Sequence, residues 1–324
     1  MAITPAQTVD VTLPKDLLSI LDWSPADLEK CLDVTGSLKR DRFLGRQAPT
    51  ANRLSGQHVA MLFEKPSLRT RVTFEIAVRE LGGDIIEPKL TATFGDREAA
   101  ADVAKSLERW VTAVVIRTFA QERLDAFARA TTTLHVINAL SDTEHPCQAL
   151  ADIFTLQEYW QSFRNRTIAF IGDGNNVATS LAHASVMLGL TIHIASPSGF
   201  NVPDSVVDDV TRIAKKGASI KLFSDPWAAV NSVDAVYTDA WTSMGQEPEA
   251  KDRRSVFLPY QVNTALMAKA KPDAIFMHCL PAHRGDEVTD EVMDAATSVV
   301  FDQAENRLHT EKALLALLLS NESF

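Results

Sequence analysis

Two arginines and two hydroxyls fall within five residues in Ser67-Leu68-Arg69-Thr70-Arg71. Guanidinium groups grip phosphate oxygens in a fork, and the first amides of a helix starting here would point at the same anion. The cluster fits an anion cradle without a glycine-rich loop; it also fits a capped helix with two solvated arginines. Arg117 closes another apolar run. His145 and Gln148 are three apart at the start of a helical segment, with Pro146 suited to its first position, so they share a face. There the histidine could donate to a carbonyl oxygen and the glutamine hold a second polar group, or His145 could simply cap its helix. Asp239 precedes Ser243-Met244-Gly245 within seven residues. A carboxylate for an ammonium and a turn N–H for a carboxylate would bind an amino-acid head group; an ordinary loop with a capping aspartate is the plainer reading.

Two clusters invite readings that their details weaken. Gly172-Asp173-Gly174-Asn175-Asn176-Val177 begins like a dinucleotide fingerprint but has Val177 where the third small residue belongs. The next strand ends in Ser196-Pro197, without the acid that would hold a ribose. Asn176 fits better as an amide for a polar substrate. His278-Cys279-Leu280-Pro281 suggests a thiol nucleophile, but neighbours on a strand point to opposite faces, and a nucleophilic cysteine needs a base. Cys279 therefore reads as a group lining a pocket.

The elements that must position these residues alternate. Apolar runs read as strands at His58–Phe63, Ala113–Ile116, Leu134–Ile137, Thr167–Ile171, Thr191–Ala195, Ala235–Tyr237 and Ala274–Met277. Between them lie helical patterns, such as Phe74, Ala77, Val78 and Leu81 ahead of the Gly82-Gly83 stop. Ser24-Pro25-Ala26-Asp27 reads as a capped helix start. This alternation predicts α/β architecture with parallel sheets. Ligands bind beyond the carboxyl ends of parallel strands, and six of the seven runs are followed by a polar cluster. One large site is the economical explanation. The first domain is expected over residues 1–150 and the second over 151–324, bridged by a helix near Pro146–Trp160. A Leu/Ala-rich last helix, about 305–324 and clearest from Thr310 to Leu319, should pack back on the first domain.

The chain has 324 residues, which suits two domains, and a formal net charge of −10, which disfavours non-specific nucleic-acid binding. The opening MAITPAQTVDVTLPKDLL lacks a basic start followed by an apolar stretch, and no apolar run could span a bilayer. Cys31, Cys147 and Cys279 are odd in number, widely spaced and without zinc-site pairing. A cytoplasmic location without membrane association is the expectation.

Taken in order, SLRTR, HPCQ, DGNN, the Asp239–SMG segment and HCLP resemble the aspartate/ornithine carbamoyltransferase family over nearly the whole chain, from Leu17–Asp22 to Glu305-Asn306-Arg307. Cys279 matches the ornithine branch, where aspartate enzymes usually carry proline, and the SMG turn is the feature of enzymes taking free ornithine. The first motif departs from the usual STRTR in having Leu68. The resemblance implies transfer of a carbamoyl group from carbamoyl phosphate to the side-chain amine of L-ornithine, giving L-citrulline and phosphate, without metal or cofactor, within arginine metabolism. It implies two doubly wound parallel-sheet domains with the active site in the interdomain cleft, and a homotrimer or a multiple of trimers. Ser67, Leu68 (through its N–H), Arg69, Thr70 and Arg117 would hold phosphate. Thr70, Arg117 and His145 would polarise the carbamoyl oxygen, with Arg307 as a further contact. Gln148 and the backbone near Leu280 would hold the carbamoyl NH2. Asn176, Asp239, Ser243 and Met244 would bind ornithine, with Cys279 beside its attacking amine. A non-catalytic regulatory paralogue, or transfer to N-acetylornithine or putrescine, are the rival readings.

Overall fold

The structure, a computed structural model, describes residues 13–88, 98–242 and 247–320. Its strands form two parallel sheets. The first has the order β2-β1-β3-β4, from β1 (His58–Phe63), β2 (Asp84–Ile86), β3 (Ala113–Arg117) and β4 (His135–Leu140). The second has the order β7-β6-β5-β8-β9, from β5 (Thr167–Ile171), β6 (Thr191–Ala195), β7 (Ile220–Phe223), β8 (Ala235–Thr238) and β9 (Ile275–His278). The expected α/β class with two parallel sheets is what forms. Every expected run became a strand, while β2 and β7 went unanticipated; both are short edge strands with exposed positions.

Helices α1 (Pro25–Asp41), α2 (Arg69–Glu80), α3 (Ala100–Leu107) and α4 (Gln121–Arg129) belong with the first sheet. Next comes α5 (Pro146–Tyr159), and then α6 (Asn176–Met187), α7 (Asp204–Ile213), α8 (Pro226–Ala229), α9 (Ala250–Phe257), α10 (Thr264–Met267) and α11 (Asp290–Met293) with the second. At α1, Ser24 and Asp27 form the reciprocal capping box, with Pro25 inside it. On α2, Phe74, Ala77 and Val78 face the core and Leu81 closes the helix. Gly82 then turns with φ 83°, and a Cβ there would meet the Ala51 carbonyl at 2.7 Å.

The last helix, α12 (Val300–Leu319), packs against α1, α2 and α5. It starts ten residues ahead of the Leu/Ala-rich part because its first half is buried through paired polar groups. Gln303, Asn306, Arg307 and Glu311 are each at most 3% exposed. The outer edges of both sheets are partly covered. Leu17 bonds to either side of Ile137 on β4, through Val136 and Asn138, and Phe276 on β9 exchanges bonds with Thr297 and Val299. These contacts occupy edge groups that would otherwise be free to pair with another chain. No helix among the described residues is long and apolar enough to cross a membrane.

Candidate active site

A cleft of about 1090 Å³ opens at the carboxyl ends of both sheets, where parallel α/β sheets place ligands. On one wall α2 begins without a side-chain cap, leaving its first amides for another partner. Ser67 and Arg69 are half-buried here and Thr70 is buried; the Leu68 side chain is 72% exposed, so only its backbone is suited to a ligand in the cleft. Arg117, buried at the end of β3, reaches the same space. Arg307 enters from α12, where its Nη2 donates to Thr70 Oγ1 (2.9 Å) and its Nη1 to Gln148 Oε1 (2.7 Å).

These guanidinium groups repel one another. Burial, then Arg307 and Arg69, depress Arg117 to about 10, and burial with Arg307 also lowers Arg69. Burial works against the Arg307 charge too, but Glu311, accepting from its Nε (3.1 Å) and Nη2 (2.7 Å), more than offsets this and raises it. An incoming anion relieves the mutual repulsion, and for charges this close in a partly desolvated site the effect is large.

His145 and Gln148 sit at the start of α5, as their spacing requires. His145 is the N-cap, but its side chain makes no capping bond; the backbone is held by its N–H donating to Ser180 Oγ (2.8 Å). The loop before it is fixed by buried Glu144, which accepts from Ser19 Oγ (2.5 Å) and Ser180 Oγ and faces His183 Nδ1 at 3.2 Å. Burial, then Arg307 and Arg117, push the His145 imidazole well below its usual range. It is therefore neutral at physiological pH and can donate one N–H to an oxygen without bringing a proton to lose.

The other wall belongs to the second sheet. Asp239, just past β8, accepts from Asn175 Nδ2 (2.8 Å), from the Ala240 N–H (2.7 Å) and from the Cys279 thiol (2.9 Å). Asn175 also caps α6 through Val177 and Ala178. Its neighbour Asn176, the residue expected to bind substrate, lines the cleft and donates to the Ser141 carbonyl at 2.5 Å. Gly174 has a packing role rather than a nucleotide one, since a Cβ there would lie 2.2 Å from the Val202 nitrogen. Burial, then Asp239, push the Cys279 thiol well above its ordinary value, so it is a protonated donor rather than a nucleophile. His278 has both ring nitrogens engaged elsewhere. Its Nδ1 accepts from the Leu280 N–H (2.8 Å), and its Nε2 faces Glu287 at 3.2 Å. Leu280 is held at φ 57°, a left-handed backbone that costs a branched residue on the order of 1 kcal/mol or more and tends to occur at ligand sites. Asp239, His278 and Cys279 donor atoms lie within 4.8 Å of one another.

The expected residues Ser67, Leu68, Arg69, Thr70, Arg117 and His145 thus line one cleft with Gln148, Asn176, Asp239, Cys279, Leu280 and Arg307. Ser243 and Met244 lie outside the described residues. Lining residues that went unanticipated include Lys65, whose ammonium meets Asp142 at 2.5 Å and lies 4.3 Å over the Phe119 ring. It precedes the Ser67–Arg71 motif in the sequence without forming part of it. Trp241 and Arg254 also line the cleft, with no pattern in the sequence to mark them.

Two parallel α/β halves meet at a cleft in which Arg69, Arg117 and Arg307 converge opposite Asp239, an arrangement suited to an enzyme with two substrates, one of them anionic. Two family models cover the chain: the carbamoyl-P binding domain of aspartate/ornithine carbamoyltransferase matches residues 15–158, and the Asp/Orn binding domain matches residues 164–318. The ornithine carbamoyltransferase of Methanospirillum hungatei is 46% identical over 310 residues, 95% of this chain and 100% of that protein. That of Anoxybacillus flavithermus is 45% identical over 94% of this chain and 96% of its own. The solved ornithine carbamoyltransferase of Pyrococcus furiosus superposes with a TM-score of 0.90 at 42% identity, covering 97% of this chain and all of that one. This chain belongs to the aspartate/ornithine carbamoyltransferase family, and it is a carbamoyltransferase.

Proposed function

We propose that the enzyme transfers the carbamoyl group of carbamoyl phosphate to the side-chain amine of L-ornithine, producing L-citrulline and phosphate. The observation that carries this reading is the division of one cleft. Arg69, Arg117 and Arg307 converge with neutral His145 on one side, and Asp239 stands with Asn176 on the other. The residues before 151 are assigned to carbamoyl phosphate and those from 151 to 324 to ornithine, with Arg307 returning to the first group on α12. The relatives' names support ornithine as the acceptor.

In this reading Ser67, the Leu68 N–H, Arg69, Thr70 and Arg117 hold the phosphate. Thr70, Arg117, His145 and Arg307 face the carbamoyl oxygen, and Gln148 with the Leu280 backbone holds the carbamoyl NH2. Asn176, Asp239, Ser243 and the Met244 N–H hold the amino-acid end of ornithine. The neutral side-chain amine attacks the carbamoyl carbon beside Cys279, the C=O becomes an oxyanion, and the C–O bond to phosphate breaks as the oxyanion collapses. The amine proton leaves with the phosphate. Rate enhancement comes from holding the reactants together and from donors aimed where charge develops. The family resemblance extends the proposal to a homotrimer or a multiple of it, which sedimentation equilibrium tests.

The deciding experiment offers carbamoyl phosphate with ornithine, N-acetylornithine, putrescine and aspartate, and measures carbamoylated product. Product from ornithine alone supports the reading. Product from another acceptor overturns the second half-site, and silence with all four overturns the assignment.

A further inference from the structure

Behind the cleft, fully buried, lies a carboxyl that none of the steps above uses. Asp152 is one turn beyond Gln148 on α5 and is 0% exposed. Three donors reach it from three elements. Gln148 Nε2 and Gln303 Nε2, from α5 and α12, both donate to Oδ1 at 2.7 Å, and the Tyr237 hydroxyl on β8 donates to Oδ2 at 3.1 Å. Gln303 also donates to the Tyr237 oxygen at 3.1 Å and accepts from the His278 N–H at 3.0 Å, beside Cys279. The Tyr237 hydroxyl also reaches the Cys279 thiol. The charged or titratable groups that interact with Asp152 are Arg307 on α12, Tyr237 on β8 and Cys279 after β9.

We propose that Asp152 is a positioning residue: its carboxylate holds the Gln148 amide with the oxygen toward Arg307 and the cleft, and joins that hold to the acceptor wall through Tyr237 and Gln303. The geometry of Gln148 is the reason. Its amide is wedged between a carboxylate and a guanidinium, with Nε2 on Asp152 and Oε1 on Arg307 Nη1. Turned over, it would set its oxygen against the carboxylate and its N–H against the guanidinium, giving two repulsions in place of two charge-assisted bonds. The held orientation makes Gln148 an acceptor at the cleft, which is what an NH2 group requires. A neutral residue at position 152 would keep the shape but weaken the preference for one orientation over the other. Burial raises the Asp152 carboxyl to about 7, against the pull of Gln148, Gln303, Tyr237 and Arg307, so the charged form is available at pH 8.

The inference rests on the proposed use of Gln148 for the carbamoyl NH2, and its test is a double-mutant cycle at pH 8 between Asp152→Asn and Gln148→Ala. The Asn carbonyl can still accept from both amides, so the fold is expected to persist with a melting temperature no lower than wild type. Asp152→Asn should lower kcat/KM for carbamoyl phosphate on the order of tenfold with the ornithine KM near wild type. In the Gln148→Ala background the same substitution should change nothing further. Additive losses, an unchanged kcat/KM in Asp152→Asn, or a collapse of its melting temperature would each overturn the proposal. The cycle is also run on the dissociation constant of carbamoyl phosphate by calorimetry. If ornithine proves not to be the acceptor, non-additivity in binding still supports Asp152 while the functional reading fails alone.

Discussion

Replacing Arg307 with methionine separates what that residue does for the fold from what it does for turnover. Arg307 and Glu311 are 3% and 1% exposed and are joined by two hydrogen bonds of 3.1 and 2.7 Å. Removing the guanidinium leaves a buried carboxyl without its cation, which costs about 3–5 kcal/mol. Burial already raises Glu311 from 4.5 to about 7 even with Arg307 pulling it down, so in Arg307→Met it must rise further. A carboxyl whose folded-state pKa is raised keeps its proton in the folded protein while losing it in the unfolded chain. Stability therefore falls as pH climbs from about 4.5 through the folded value, and the deficit is full only above that value. The assay is the urea midpoint at fixed protein concentration, at pH 5.5 and 8.5, for wild type, Arg307→Met, Glu311→Leu and the double variant. Arg307→Met should be far weaker at pH 8.5 than at 5.5. The double variant should regain all but about 1 kcal/mol, because replacing both partners with apolar groups is often near neutral. Turnover should not return in the double variant. Losing a donor aimed at the developing oxyanion costs about a hundredfold to a thousandfold in kcat. A wild-type midpoint for Arg307→Met at pH 8.5, or recovered kcat in the double variant, refutes the reasoning.

Four further outcomes follow from the same geometry. The His145 C2–H resonance should not shift between pH 5.5 and 8.5, because burial and two arginines hold the ring neutral; a midpoint near 6.5 would remove that basis for its role. With chemistry rate-limiting, turnover should rise from pH 6 to 9, since a free alkyl ammonium has a pKa of about 10.4 and must lose its proton to attack; a flat profile counts against attack by a neutral amine. Asp239→Asn should raise the ornithine KM by about tenfold or more while leaving the carbamoyl phosphate dissociation constant within about twofold, an estimate taken from charge-assisted bonds of about 1.5–3 kcal/mol; weakening of both substrates alike contradicts the division of the cleft. Iodoacetamide should modify Cys279 slowly at pH 8 and faster in Asp239→Asn, because burial and that carboxylate raise the thiol; fast alkylation of wild type at pH 7 would show a thiolate.

How far the sequence could be read depended on which physical signal each element left. Strands flanked on both sides, such as β3 and β5, carry four consecutive apolar residues and stood out as runs. β7 is an edge strand in which Leu222 is 43% exposed beside Lys221, and β2 is three residues long, so neither leaves a continuous apolar signature. The cleft residues were findable because parallel strands deliver their polar followers to one edge, so separate clusters at strand ends implied a common site. The groups behind them were not. Asp152 lies in the stretch Ala149-Leu150-Ala151-Asp152-Ile153, where one acid on a helix reads as the solvent side. Gln303 and Glu311 likewise make their stretch of α12 look exposed, when each is buried against a partner. Hydropathy registers how polar a residue is and carries no information on whether its partner arrives from 150 residues away.

The charge pattern of the cleft bears on a choice the proposed substrate forces. Ornithine carries two amines, and the one that must attack as a neutral group is the more basic, at about 10.4 for an alkyl amine against about 8 for an α-amine. A carboxylate favours an ammonium, while a cluster of guanidiniums disfavours one, each by an energy that grows as water is excluded. The wall with Asp239 would keep the amine nearest it protonated and held. The other amine, reaching toward Arg69, Arg117 and Arg307, would meet guanidiniums, a neutral imidazole and a protonated thiol whose own proton is turned to Asp239. With the proposed substrate in place, position in the cleft would thus work against the intrinsic order of basicity, holding the α-amine as an ammonium and favouring the neutral form of the side-chain amine. A chain of net charge −10 can hold such a site because the balancing carboxyls, Glu311 and Asp152, sit behind the cationic wall instead of in front of it.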